Sequence, residues 1–326
     1  MASRKIEIAR GPVPAGSLRR GAGRIATFHP GMSILIRENV PLAPLISFKV
    51  GGPARFFTEP SSPQDFSEAI AWARQKGLEF FILGKGTNLV FSDKGYPGLV
   101  IYTGKSFHDV DWTGNRVRAQ SGALLHTVVT QSVGKGMAGI QHLAGIPGTM
   151  GGGTYINAGA FGQELKDVIV SVTSATCDGR LVKRTNAECG FSYRHSNFFD
   201  WDEIILETEL ELTPGDEHAL KSEMRETLRK RKEKQPLHLP NAGSMFKRPP
   251  GQFAGVLIEQ AGLKGFRMGG AMISEKHANF TVNAGGATAQ DIHDLSSEVI
   301  RLVKERSGTT LEREVIFIGE FLPWPR

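Results

Sequence analysis

Apolar side chains recur along this chain at two spacings, and the change from one to the other marks out its elements. Over residues 64–76, Phe66, Ile70 and Ala73 recur three to four apart, as in a helix with one buried face. Ser61 or Ser62 can cap its start, Pro63 suits its first turn, and Gly77 ends it. The run Phe80-Phe81-Ile82-Leu83 predicts a buried strand, and Gly84-Lys85-Gly86-Thr87-Asn88 predicts a tight loop after it. A second helix is predicted over 123–133, and a hairpin over 173–182 turning at Asp178-Gly179. Over 205–212 the spacing falls to two. Leu206, Thr208, Leu210 and Leu212 share one face and Glu207, Glu209 and Glu211 the other, as in a half-exposed strand.

Pro214-Gly215 reads as a boundary. Beyond it, residues 217–234 predict a basic helix with Leu220, Met224 and Leu228 as its stripe, stopped by Pro236. A Gly/Pro-rich stretch covers 240–251, and a short helix is expected over 253–261. Residues 289–306 predict the last long helix, with Ile292, Leu295, Val299, Leu302 and Val303 inward and Gly308 past its end. A closing strand follows over 315–318. Strands and helices mixed in this order predict an α+β fold, since the regular alternation of a doubly wound sheet is missing. The expected divisions are 1–31, 32–213 (in two parts, about 32–103 and 104–213), 214–309 and 310–326.

Charge changes this picture little. The chain of 326 residues has a formal net charge of +6. Six basic residues stand in 1–31 against Glu7 alone, so the rest is nearly neutral. A nucleic-acid surface needs basic charge on the folded body, and no nucleic-acid partner is expected. The first 31 residues read as a disordered leader, with Met32 as the functional start. No apolar run reaches the length of a membrane span or a secretion signal, so a cytoplasmic protein without membrane association is expected. Cys177 and Cys189 fit neither a disulfide framework nor a close metal pair, and no metal site is expected. The oligomeric state is not readable.

The stretch 145–162, GIPGTMGGGTYINAGAFG, holds seven glycines in eighteen residues. Such density serves tight turns, or a backbone that must approach a phosphate closely. The run ends in no Lys-Ser/Thr pair, which excludes a Walker loop. The loop 84–88 starts like a dinucleotide fingerprint, but Leu89 replaces its third glycine and strand rather than helix follows. Two glycine loops can still converge on one pyrophosphate.

This loop pair resembles the flavin-binding domain of the vanillyl-alcohol-oxidase (PCMH) type. The segments NVPLAPLISFKVGGPARFF (39–57), ILGKGTNLVFSDKGYPGLVI (82–101), FSYRHSNFF (191–199), KQPLHLPNAGSMFKRPPGQFAGVLIEQAGLKG (234–265), GGAMISEKHANFTVN (269–283) and LEREVIFIGE (311–320) narrow it. Together they resemble the UDP-N-acetylenolpyruvoylglucosamine reductase (MurB) family over nearly everything from residue 33 onward. The resemblance implies an FAD-binding region over 32–213, a substrate domain over 214–309, and a C-terminal strand returning to the FAD region. No insertion fits between Gly265 and Thr288, which implies the shorter form of the family, without its tyrosine loop.

By residue type alone, Ser244 suits a local turn, Arg194 a solvated or locally paired charge, and Glu314 cannot be told from Glu312. The resemblance implies more. Ser244 is the general acid, Arg194 holds and stabilises a carboxylate, and Glu314, the acid before the valine, is the catalytic glutamate. Gly84, Gly86, Thr87, Asn88, Gly145, Ile146, Pro147, Gly148, Thr149, Gly151, Gly152, Asn157 and Gly159 are implied to hold FAD. Lys234, Lys247 and Arg248 are implied to meet the substrate diphosphate, although Arg248 stands where the longer form has asparagine. The absence of His or Cys at covalent attachment points implies a dissociable FAD. The implied reaction takes a hydride from NADPH through FAD to UDP-N-acetylglucosamine enolpyruvate, giving UDP-N-acetylmuramate for peptidoglycan. The competing reading is an FAD-dependent oxidase of the same fold acting on another alcohol or sugar.

Overall fold

The computed structural model describes residues 33–105, 107–176 and 178–324. The leader 1–31, Met32 and Cys177 lie outside them.

A four-stranded sheet opens the fold, in the order Arg37–Pro41, Pro53–Thr58, Tyr96–Tyr102, Phe80–Leu83. The last three strands are mutually parallel, and helix α1 (Pro63–Gln75) makes the crossover between two of them. Ser62 caps α1 by accepting the Asp65 N–H, and Phe66, Ala69, Ile70, Trp72 and Ala73 form its buried face. A five-stranded antiparallel sheet follows, in the order Leu181–Thr185, Ile169–Thr176, Glu203–Glu211, Arg116–Gln120, Val110–Thr113. The third sheet, also antiparallel, runs Asn241–Ser244, Phe280–Asn283, Ala271–Ile273, Arg267–Met268. The mixture is α+β, as the order of elements predicts.

Most elements match the sequence periodicity, and the departures come from pairing with segments distant in sequence. Helix α2 (Leu125–Gly134) starts two residues later than expected. Ala123 and Leu124 are held extended by pairing with the glycine run, where Leu125 N–H donates to Gly148 O and Met150 N–H to Ala123 O. The Gly/Pro-rich stretch 240–251 contains a strand, Asn241–Ser244, that periodicity does not reveal. Gly243, at φ +78°, breaks its alternation and shifts its register against Phe280–Asn283. The closing strand begins at Ile316, because the Glu314 N–H donates to Met245 O (2.9 Å) rather than to a sheet neighbour.

Packing crosses the expected boundaries. One apolar core joins Phe57 and Leu83 of the first sheet, with Leu42, Phe48 and Phe91 from the segments beside it, to Phe246, Ile258, Ile292, Val299 and Val315 from the C-terminal part. Helix α4 (Glu217–Lys234) follows the Pro214-Gly215 boundary, yet its Met224 and Leu228 pack against the core around the second sheet. Past the short helix α5 (Ala254–Gln260), the C-terminal helix α6 (Ala289–Ser307) is capped by a Thr288/Asp291 box and ended by Gly308 at φ +74°.

Candidate functional site

The loop 84–88 leaves the C-terminal end of the strand Phe80–Leu83, where parallel strands commonly present ligands. It meets the glycine run directly. The Thr87 hydroxyl donates to Pro147 O (3.1 Å), and a Cβ on Gly84 would lie 2.7 Å from Thr149 Oγ1. Gly86, at φ +60°, would place a Cβ 2.5 Å from Ile46 Cγ2. Gly151 packs equally tightly on Ser121. These glycines let backbones close on one another, and the close fit builds the clasp. Gly152 differs, since it is exposed and a Cβ there would meet only Thr149 Oγ1, at 3.5 Å. It sits in the short helix α3 (Met150–Tyr155), whose cap Thr149 accepts the Gly152 N–H. Gly145 makes room for the side chains of Leu228 and Arg231 on α4. Ile146 packs against the second core, and its N–H donates to Leu143 O.

Downstream of the run, the backbone loops back to hold Arg194. Asn157, buried and at φ +47°, donates from Nδ2 to Ser192 O (2.9 Å), while its Oδ1 accepts the Lys166 N–H. Ser192 and His195 exchange backbone hydrogen bonds around Arg194, which takes a left-handed φ of +54°. Non-glycine residues seldom adopt that conformation, and it is over-determined here. Ser196 Oγ donates to Tyr155 O (2.6 Å), and Phe199 stacks on Tyr155 with centroids 4.2 Å apart. So fixed, Arg194 donates from Nε to Glu314 Oε1 (2.6 Å) and from its terminal nitrogen to Gly159 O (3.0 Å).

Glu314 arrives from the far end of the chain. The strand Ile316–Ile318 pairs in parallel with Leu89–Phe91, so the chain just before it lies beside Asn88. Asn88 Nδ2 donates to Glu314 O (3.2 Å), and the Ile316 N–H donates to Asn88 O (3.0 Å). On the other side, Phe246 bridges Arg313 and the Lys247 N–H donates to Glu312 O. The side chains of Arg194 and Glu314 are 18% and 12% exposed. Burial pushes the Glu314 carboxyl up, against the opposing pull of Arg194 and Lys247.

Asn88, Ile156, Arg194, Phe199, Lys247 and Glu314 line one cavity of about 240 Å³, together with Arg313, Val315 and Ile316. Ser244 does not line it. It is half-buried at the end of its strand, one residue before the Met245 carbonyl that receives the Glu314 N–H. Lys247, in the lining, pairs with the exposed Glu312 outside it (2.6 Å). Arg248 is exposed, its guanidinium 4.4 Å from the centre of the Phe253 ring and its N–H donating to the Tyr193 hydroxyl. Lys234 is exposed at the end of α4. A wider depression of about 420 Å³, lined by Arg74, Thr176, Asp178 and residues 200–203, carries none of the expected site residues. No group of three or more His, Cys, Asp or Glu side chains among the described residues could hold a metal ion.

Two arginines escaped the sequence reading, the half-buried Arg313 and the buried Arg231. Arg313 donates from Nε to Ser296 Oγ (2.8 Å), and burial lowers its pKa. Arg231 continues the stripe Leu220, Met224, Leu228 by three residues. That spacing is the signal that could have placed it inward.

Known proteins share the sequence and the fold of this chain. Residues 54–185 match an FAD binding domain, and residues 235–318 match the UDP-N-acetylenolpyruvoylglucosamine reductase C-terminal domain. The UDP-N-acetylenolpyruvoylglucosamine reductase of Caldanaerobacter subterraneus subsp. tengcongensis is 42% identical over 282 residues, covering 86% of this chain and 93% of that one. That of Pediococcus pentosaceus is 39% identical over 296 residues, covering 91% and 98%. The crystal structure of the reductase (MurB) from Thermus caldophilus superposes with a TM-score of 0.76 at 33% identity, covering 88% of this chain and all of that one. The chain belongs to the UDP-N-acetylenolpyruvoylglucosamine reductase (MurB) family.

Proposed function

We propose that this protein reduces UDP-N-acetylglucosamine enolpyruvate to UDP-N-acetylmuramate with NADPH, through a dissociable FAD, in the cytoplasm and as a step of peptidoglycan synthesis. The observation that carries the reading is the half-buried Arg194–Glu314 pair, at the cavity where the 84–88 loop, the Arg194 loop and the C-terminal strand meet.

The residues present fit the cofactor. Two loops clasped through Thr87 and Pro147 offer main chain without side-chain bulk, and Gly152 leaves open space beside the start of α3. The 84–88 and 145–152 segments would hold the FAD pyrophosphate. Asn157 and Gly159 serve the site by fixing the Arg194 loop. FAD supplies the hydride-transfer chemistry, and the protein supplies position and charge.

Arg194 can offer its guanidinium to the enolpyruvyl carboxylate, and its rigid loop fixes the direction of approach. Charge that develops beside that carboxylate during reduction is met by Arg194, with Glu314 holding the guanidinium in place. Ser244 completes the reduction by giving its hydroxyl proton to the substrate carbon. It stands on a strand tied to the Glu314 segment through Met245. Lys247, Arg248 and Lys234 approach from the C-terminal part and suit a diphosphate. Nucleic acid and membrane play no part in this reading. No helix among the described residues is long and apolar enough to cross a membrane.

The test is spectroscopic. The purified protein is expected to be yellow, to bleach with NADPH, and to recolour on adding UDP-N-acetylglucosamine enolpyruvate without oxygen. Recolouring by air alone would indicate an oxidase, and a colourless protein that takes up no FAD would sink the proposal.

A further inference from the structure

Arg313 and Glu314 are neighbours in the chain, and their side chains go to different parts of the molecule. Glu314 meets Arg194, while Arg313 reaches the face of α6. Its Nε donates to Ser296 Oγ (2.8 Å), and one terminal nitrogen donates to Ser297 Oγ and, at 3.4 Å, to His293 O. Its guanidinium carbon lies 5.1 Å from the centre of the Phe317 ring. None of these partners is an acid.

The receiving face of α6 is set up for a donor. A serine hydroxyl has one proton to give, and here both are committed. Ser296 Oγ donates to His293 O (2.8 Å), and Ser297 Oγ donates to the same carbonyl (2.9 Å). Their oxygens are left to accept, and the guanidinium, which only donates, takes both. Ser296 is fully buried and Arg313 half-buried. Enclosing a charge without an acid beside it is costly, so for stability alone an apolar side chain would fill this place as well.

What the fork adds is direction. Leu311 and Val315 are buried in the core that holds Ile292 and Val299 of α6, and this fixes how deep the segment between them lies. Met245 O and Asn88 Nδ2 hold the Glu314 backbone. Apolar packing still permits the segment to turn about its own axis. A planar group with directional hydrogen bonds to three acceptors resists that turn. Turning would swing the Glu314 carboxylate away from Arg194.

We propose that Arg313 is a positioning residue for the reduction, fixing the rotation of the Glu314 segment and, through Glu314, the aim of Arg194. The inference deepens the functional reading above and rests on it. Because Arg313 acts through Glu314, its effect must fade once the Glu314 carboxylate is gone.

Arg313→Met keeps the reach of the side chain and removes the fork. Rates are read per bound flavin, in the parent and in a Glu314→Ala background, together with the melting temperature. With Met alone, reoxidation by UDP-N-acetylglucosamine enolpyruvate should slow about 10–100-fold, the scale of a small misplacement at a reacting centre. Reduction by NADPH, FAD affinity and the KM for the enolpyruvyl substrate should be unchanged. With Glu314→Ala already present, adding Met should slow reoxidation less than about threefold. Ser297→Ala removes one acceptor at a half-buried position and should give a smaller fall that fades in the same background. Equal slowing of both half-reactions, or slowing by Met that multiplies in full with Glu314→Ala, would overturn the inference. So would parent rates in Arg313→Met, and a lower melting temperature would then mark Arg313 as a structural prop. If Arg313→Met does not fold, Ser297→Ala decides, and reoxidation at the parent rate in that variant overturns the inference. A parent protein that takes up no FAD, or whose reduced FAD is not reoxidised by the enolpyruvyl substrate, removes the functional reading as well.

Discussion

The clasp of glycine loops and the Arg194–Glu314 corner meet at Asn88, yet they are held by different means. In the clasp, the deciding quantity is space. Gly84, Gly86 and Gly151 each stand where a Cβ would come within 2.7 Å of Thr149 Oγ1, Ile46 Cγ2 or Ser121 Cβ. In the corner, the deciding quantity is the partner. Arg194 has Glu314 and Gly159, Asn157 has Ser192 and Lys166, and the Glu314 backbone has Met245 and Asn88. A clasp built on space tolerates little added volume but asks little of side-chain chemistry. A corner built on partners fails when one hydrogen bond or charge is removed, even at constant volume.

Substitutions can test that division, beginning with the largest expected effect. Ser244→Ala should slow reoxidation by substrate about 10²–10⁴-fold, the usual range for a lost general acid. Flavin reduction by NADPH should be unchanged in stopped-flow traces. A parallel fall of both half-reactions would show that Ser244 is not the acid.

Gly86→Val attacks the clasp on two counts, its φ of +60° and the 2.5 Å approach to Ile46. The expected cost is about 3 kcal/mol, read as a lower melting temperature and weaker FAD binding. A variant that melts and binds FAD like the parent would mean that the clasp is not governed by space.

Asn88→Ala removes the hydrogen bond to Glu314 O, which contributes about 1 kcal/mol. It should lower kcat while leaving FAD affinity nearly unchanged, because Asn88 serves the corner more than the clasp. Loss of FAD without loss of kcat would reverse that assignment.

Glu314→Gln gives the most pH-dependent effect on stability. Burial raises the Glu314 carboxyl above its ordinary value of 4.5. A carboxyl raised in the folded state contributes stability below its unfolded pKa, and that contribution is lost as pH rises through the folded pKa. The melting temperature of Glu314→Gln relative to the parent should therefore shift in favour of Gln across that window and level off above it. A shift in the opposite direction would mean that Arg194 outweighs burial at this carboxyl.

Local elements were readable because their causes are local. Ser62, Pro63 and Gly77 bracket α1, and Leu220, Met224 and Leu228 announce α4. The strand Asn241–Ser244 was not readable, because a left-handed Gly243 breaks its alternation and its order comes from pairing with Phe280–Asn283, some forty residues on. Arg231 was hidden for a related reason. A basic residue on a basic helix reads as solvated, and packing against Gly145 is seen only in the folded chain. The glycines of 145–162 were visible as a group, but their individual tasks were not. Gly151 closes on Ser121, Gly145 admits Arg231, and Gly152 stays open.

The sequence by itself determined the α-helices other than α3, the alternating strand over 205–212, the two glycine loops and, through its ordered motifs, the family. Those features rest on periodicity and on backbone conformations that a few residue types impose. Only the tertiary structure decided that Asn88, Arg194, Lys247 and Glu314 share one cavity while Ser244 and Lys234 stand off it. It also decided that α4 packs beyond the Pro214-Gly215 boundary. Those outcomes depend on strand pairing across more than two hundred residues and on burial. Both are properties of the whole packed chain, and no short window of sequence carries them.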